Sequence, residues 1–148
     1  MKYIAYGSNM SQEQMAFRCP EAQLVGTGYI EKARLEFYLH ATVEPTRRKA
    51  DRVPVAVWQI SKKDEQSLDH YEGFPNYYIK QEWMVKMDDG SQIKGMIYLM
   101  NIIRTQPPTM GYYEGIRSAY DELGLTSEIE TVLEPAAIRA MRRSRAVR

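Results

Sequence analysis

The run Tyr3-Ile4-Ala5-Tyr6-Gly7-Ser8-Asn9-Met10 constrains this chain more than any other stretch. Tyr3 to Tyr6 combine aromatic and β-prone residues and predict a strand, and Ser11 to Phe17 predict the helix after it. Gly7-Ser8-Asn9 must then turn the chain from strand to helix within three residues. Such a turn aims loop N–H groups and the unbonded N–H groups of the first helical turn at one point, beside the Ser8 hydroxyl and the Asn9 amide. Read as chemistry, that point suits a small anion, most simply a carboxylate. Gly7, without a Cβ and free to take a positive φ, would let the backbone approach it. Read as packing, the same residues are a polar turn in which Asn9 or Ser11 caps the helix.

Farther along, Gln23 to Ile30 predicts a strand whose Gly26-Thr27-Gly28 marks a bulge or a barrel corner. No third glycine follows at dinucleotide-binding spacing. Ala33 to His40 reads as one half-buried strand, with Leu35, Phe37 and Leu39 on one face and Glu36, Tyr38 and His40 on the other. Glu44 to Arg52 is a polar, basic loop containing Arg47-Arg48-Lys49, either an anion-facing flap or a solvated connection. Val53 to Ile60 is a strand, and Ser61-Lys62-Lys63-Asp64 is a capping box that opens a helix running to about Tyr71, stopped by Gly73 and Pro75. Tyr77 to Met87 and Gln92 to Met100 form a hairpin about Asp88-Asp89-Gly90-Ser91.

Pro107-Pro108 breaks the chain before Thr109, which opens a helix with Tyr112, Ile116, Ala119, Tyr120 and Leu123 on one face and Gly124 at its end. Thr126 to Leu133 predicts a short separate helix, and Pro135 the first turn of a last one. The basic tail, about 135–148, carries Arg139, Arg142, Arg143, Arg145 and Arg148. It reads as a solvated helix end favoured by the helix dipole, or as a patch for RNA or acidic lipid. Strands with inserted helices, followed by helices, indicate an α+β fold around a curved or closed sheet, one domain over residues 1–148.

A net charge of +1 gives no global pull toward nucleic acid or membrane. The single cysteine, Cys19, cannot pair internally and reads as a small buried hydrophobe, and no stretch of about 18 apolar residues marks a membrane span. Gly7-Ser8-Asn9 interrupts the only apolar run near the N-terminus, so no signal peptide is expected and the cytoplasm is the expected compartment. His40 and His70 lack partners at metal-ligand spacing, and no metal is expected. Ser8 has no nucleophile-elbow signature around it.

A second candidate for chemistry is Leu68-Asp69-His70-Tyr71-Glu72-Gly73-Phe74-Pro75. Glu72 falls at a helix C-terminus, where the macrodipole disfavours a carboxylate. Asp69 lies three residues earlier on the same face and would add repulsion, while Tyr71, Phe74 and Tyr78 would desolvate the acid. Each effect lifts the Glu72 pKa toward the range of a general acid or base. An exposed helix-end glutamate is the alternative.

Tyr6-Gly7-Ser8-Asn9-Met10, Glu72-Gly73 after Leu68-Asp69, and Pro107-Pro108-Thr109 leading to Tyr112 resemble the γ-glutamylcyclotransferase-like family. The three motifs stand in family order, and the resemblance spans about residues 1 to 125. It implies a small mixed β-barrel with surrounding helices and a cavity at its mouth. It also implies that Tyr6, Gly7, Ser8, Asn9 and Met10 hold the α-carboxylate end of a γ-glutamyl group, that Glu72 is the acid/base, and that Tyr112 and Tyr78 line the substrate pocket. One departure is Gln59 after Trp58, where several members carry glycine.

The chemistry implied needs no metal or cofactor. The α-amine of a γ-glutamyl amine, amino acid or peptide attacks its own γ-carbonyl, and 5-oxoproline and the amine are released. The partner implied is therefore a small molecule, with no nucleic acid and no membrane. A non-catalytic module that binds a small carboxylate is the alternative, and a nucleic-acid binder using the arginine loop and tail a more distant one.

Overall fold

The computed structural model describes residues 1–146. Its strands are β1 (Lys2–Ala5), β2 (Gln23–Glu31), β3 (Ala33–Tyr38), β4 (His40–Pro45), β5 (Arg52–Gln59), β6 (Tyr78–Met87) and β7 (Gln92–Met100). Five of them close a barrel in the order β1-β5-β2-β6-β7, and β3 and β4 form a separate two-stranded sheet. The barrel is mixed: β1 runs antiparallel to β5, with Tyr3 opposite Trp58, and meets β7 in parallel through Tyr3 opposite Met96. Its four α-helices are α1 (Gln12–Arg18), α2 (Lys62–Glu72), α3 (Met110–Glu122) and α4 (Glu134–Ala146).

The apolar strands explain the closure. Tyr3, Ile4 and Ala5 on β1 are all buried, as are the residues from Val53 to Trp58 on β5, so these strands are covered on both faces. The bulge expected near Gly26 is present as a register shift between Leu24 and Gly26. Gly28 is required by close approach: a Cβ there would stand 2.5 Å from the Lys86 carbonyl oxygen and 2.9 Å from Met87 Cα.

The strand expected from Ala33 through His40 is broken. Leu39 takes φ 70°, and the chain reverses there so that Tyr38 pairs with His40. No Gly or Asn announces this turn; it is held from outside, by the Leu39 N–H donating to the Gln106 carbonyl at 2.6 Å. Glu36, expected on a polar face, is fully buried because α4 covers it. The two C-terminal helices expected around Pro135 are continuous: a π-helical turn, Ile129–Leu133, runs straight into α4. Pro135 has no N–H to give, and the wider turn before it absorbs the missing bond.

The capping box of α2 forms as expected, with Ser61 and Asp64 bonding each other's backbone N–H, and Gly73 ends the helix at φ 64°. Thr109 caps α3 through the Tyr112 N–H. No helix among the described residues is long and apolar enough to cross a membrane.

Candidate active site

β1 delivers Tyr6 and Gly7 to the barrel mouth, where Ser8–Met10 form a single 3-10 turn before Ser11 caps α1. This corrects the expected geometry. Ser11 caps α1, as the packing reading of the turn had it, its Oγ accepting from the Gln14 N–H at 3.3 Å, and the backbone that faces the cavity is the 3-10 turn ahead of that helix. Gly7 has φ −124°, not a positive value. A Cβ there would stand at ordinary contact distance, 3.5 Å, from Ala41 Cβ and the Tyr112 hydroxyl, on the cavity wall. Met10, expected on the ligand, is wholly buried in the core and does not line the cavity.

In front of the turn lies a cavity of about 240 Å³ whose walls include Tyr6, Gly7, Ser8, Asn9, Glu72, Tyr78 and Tyr112. The tyrosines differ in what their hydroxyls can still do. Tyr6 donates to the Tyr98 carbonyl at 2.6 Å, and Tyr78 to the Ala41 carbonyl at 2.7 Å, so both protons are committed to backbone. Tyr112 instead accepts from the Ala41 N–H at 3.1 Å, which leaves its own proton for a ligand. The Ala41 main chain is thereby held at both its N–H and its carbonyl.

Glu72, the last residue of α2, is partly buried on the cavity wall. Burial pushes its carboxyl from 4.5 up to about 7, against the opposing pull of the Arg18 guanidinium. The expected push from Asp69 is absent, because Lys80 at 3.0 Å and the Tyr98 hydroxyl at 2.5 Å neutralise and bind that carboxylate. Phe74 does not shield the acid either; it lies at the surface with the Lys80 ammonium 4.2 Å from its ring centroid. The Asn9 side-chain amide donates to Glu72 Oε1 at 3.4 Å and to the Tyr3 hydroxyl at 2.9 Å. The turn and the acid therefore share one cavity and are bonded to each other.

Sequence reasoning missed several groups here. His40 lines the cavity, with Nδ1 2.7 Å from the Tyr77 hydroxyl and its ring edge-on to Tyr112 at 5.3 Å. Burial and the charge of Arg104 hold its pKa below the usual value. Only the unannounced reversal at Leu39 brings it there. Tyr71 and Arg18 were also missed as a pair; the guanidinium sits 3.4 Å from the ring centroid. A sequence signal did exist in Gln14 and Arg18, spaced i,i+4 on α1 and bonded at 2.7 Å.

Among the described residues, no group of three His, Cys, Asp or Glu side chains could hold a metal ion. His70 is exposed on the surface of α2. Cys19 is buried as expected, and burial raises its thiol to about 11, which keeps it unreactive. The basic tail is a solvated helix end at Arg142 and Arg145, which are exposed, and departs from one at two other arginines. Arg139 and Arg143 both bind Glu36, at 2.9 and 2.8 Å, and donate to the Leu35 and Phe37 carbonyls. Arg148 lies outside the described residues. Arg47, Arg48 and Lys49 are exposed.

Comparison with known proteins finds relatives of the same fold. Residues 3–116 match the family model described as gamma-glutamyl cyclotransferase, AIG2-like. The chain is 28% identical over 143 residues to the gamma-glutamylcyclotransferase of Mus musculus and to that of Homo sapiens, an alignment covering 89% of this chain and 76% of each relative. A solved structure titled gamma-glutamyl cyclotransferase superposes with a TM-score of 0.80 at 28% identity, covering 90% of this chain and 85% of that one. The barrel with four helices is the fold of that structure.

Proposed function

The chain belongs to the gamma-glutamyl cyclotransferase, AIG2-like family, and from that premise we propose that it releases 5-oxoproline from a γ-glutamyl amine, amino acid or peptide, with Glu72 as acid and base. The observation that carries this reading is the shared cavity in which Asn9 of the turn donates to Glu72, a carboxyl that burial pushes up to about 7.

The steps follow from the groups present. The α-carboxylate of the substrate sits against the open N–H groups of the 3-10 turn and the Ser8 hydroxyl, which fixes the glutamyl chain in a folded, near-attack form. A carboxyl lifted by burial toward neutral pH is suited to both roles, so Glu72 can accept a proton from the α-ammonium and later give one back. The freed nitrogen bonds to the γ-carbonyl carbon, closing a five-membered ring. The bond from that carbon to the leaving nitrogen breaks as Glu72 returns the first proton to the departing amine, and the ring nitrogen gives up its second proton to the carboxylate so regenerated, from which it passes to the released amine or to solvent. Tyr112, with its hydroxyl proton uncommitted, is the side chain suited to the carbonyl oxygen on which negative charge develops. Tyr6 and Tyr78 hold the wall.

The test is release of 5-oxoproline from a panel of γ-glutamyl amines, amino acids and peptides, with Glu72→Gln as control. The variant is expected to fold and bind substrate while turnover falls by ~10² to 10⁴. A chain that binds these compounds but forms no 5-oxoproline is the non-catalytic carboxylate-binding module instead.

A further inference from the structure

The structure assigns Arg18 a positioning role: through Asn9 it orients and tunes the Glu72 carboxyl, so that one carboxylate oxygen is held and the other is left to carry the proton.

This rests on the reading of Glu72 as the acid and base, and it starts from the orientation of one amide. Asn9 has a donor end and an acceptor end that a packing argument alone would not distinguish. Arg18 has only donors, and its Nη1 bonds Asn9 Oδ1. That fixes the acceptor end toward the guanidinium and turns Nδ2 toward Tyr3 and Glu72. The Asn9 main chain is fixed as well, its carbonyl accepting from Trp58 Nε1 at 3.0 Å. Nδ2 reaches Glu72 Oε1, so Oε2 is the oxygen left for the proton in transit.

Arg18 is itself held in three ways. Its Nη1 also donates to Gln14 Oε1 at 2.7 Å, its guanidinium lies 3.4 Å from the Tyr71 ring centroid, and it is the last residue of a capped helix. Tyr71 directly precedes Glu72, so the same guanidinium grips both the neighbour of the acid and the amide that touches it. A planar fork can do this, and an ammonium cannot.

The other groups around the acid carry no charge that could replace it. Tyr3, Tyr6, Tyr78, Tyr98 and Tyr112 are all pushed up by burial and stay neutral. His40, on the same cavity, is held toward its neutral form. Asp69 is spent on Lys80 and Tyr98. Arg18 is the charge that opposes the burial of Glu72.

The test compares wild type, Arg18→Met and Arg18→Lys by carbon-detected NMR titration of the Glu72 carboxyl in the free protein, beside the pH dependence of kcat/KM. Methionine keeps an apolar stem against Tyr71 and removes the charge and the fork; circular dichroism confirms that each variant folds. In Arg18→Met the Glu72 midpoint is expected to move up by about 1 pH unit, and the acid limb of kcat/KM to follow it. Arg18→Lys keeps the charge and loses the fork, so its midpoint is expected close to wild type while kcat falls roughly tenfold from the loosened amide. A Glu72 midpoint unmoved in Arg18→Met overturns the proposal. A midpoint that moves while the pH–rate profile stays put supports the role of Arg18 and rejects Glu72 as the base, so the two failures are separable.

Discussion

Asn9 and Glu72, 63 residues apart in sequence, are joined by a 3.4 Å hydrogen bond at the wall of the barrel-mouth cavity. Strand β1 carries one partner to that wall and the end of α2 carries the other. Because β1 and β5 are antiparallel, β5 ends beside the start of β1, and it is the length of α2 that returns its last residue to the turn after β1.

The first consequence is a pH dependence. A base must be ionised to work, so kcat/KM is expected to rise tenfold per pH unit on the acid side and to level off above about 7, the value to which burial lifts Glu72. Steady-state rates of 5-oxoproline release between pH 5 and 9 read this directly. A limb centred between 4 and 5 would assign the titration to an ordinary, solvated carboxylate.

The same lifted pKa has a thermodynamic side. The folded chain binds a proton at Glu72 that the unfolded chain has released, so stability falls as pH rises from 4.5 through about 7. The cost is absent below that window and complete above it, amounting to at most ~3 kcal/mol. Glu72→Gln is therefore expected to unfold at a higher urea concentration than wild type at pH 8, and at nearly the same one at pH 4.5. Equal midpoints at pH 8 would mean that the carboxylate is not under strain.

Gly7 offers a steric prediction. A methyl there meets Ala41 Cβ and the Tyr112 hydroxyl at ordinary contact distance, so Gly7→Ala is expected to fold normally. The methyl nevertheless stands on the cavity wall, where the folded glutamyl chain must fit. A loss of roughly 10- to 100-fold in kcat/KM is expected, with an unchanged melting temperature; substrate saturation curves and a thermal melt check both parts.

Glu36 carries a prediction about stability away from the cavity. It is fully buried and is the one carboxylate among Arg34, Arg139 and Arg143, at 2.7, 2.9 and 2.8 Å. Glu36→Ala leaves three guanidiniums gathered without their counter-charge. A loss of roughly 3 kcal/mol is expected from urea unfolding, and a change below ~0.5 kcal/mol would show that the cluster is solvated.

Much of this was legible in the residues. The capping box at Ser61, the glycine stop at Gly73, the hairpin about Asp89-Gly90 and the Thr109 cap are local signals, and each formed as written. The pairing of turn and acid was legible through the family motifs that carry Gly7-Ser8-Asn9 and Glu72-Gly73, since packing alone explains the turn as a helix cap and only Glu72 poorly. What was not legible depends on distant partners. The reversal at Leu39 is held by a carbonyl 67 positions later, at Gln106, and no local residue encodes it. Glu36 alternates like a surface residue and becomes interior only when α4 arrives with its arginines. Asp69 looks like a repulsive neighbour of Glu72 until Lys80 and Tyr98 take it up. In each case a tertiary contact overrode a correct local pattern.

The Glu36 cluster binds the end of the chain to its beginning. Arg139 and Arg143 grip β3, β3 is zipped to β4, and β4 supplies the Ala41 peptide on which Tyr6, Tyr78 and Tyr112 converge. A shortened chain that stopped before α4 would keep every residue of the cavity and lose the latch that holds one of its walls. The last helix, remote from any chemistry, thus acts as the buttress of the pocket.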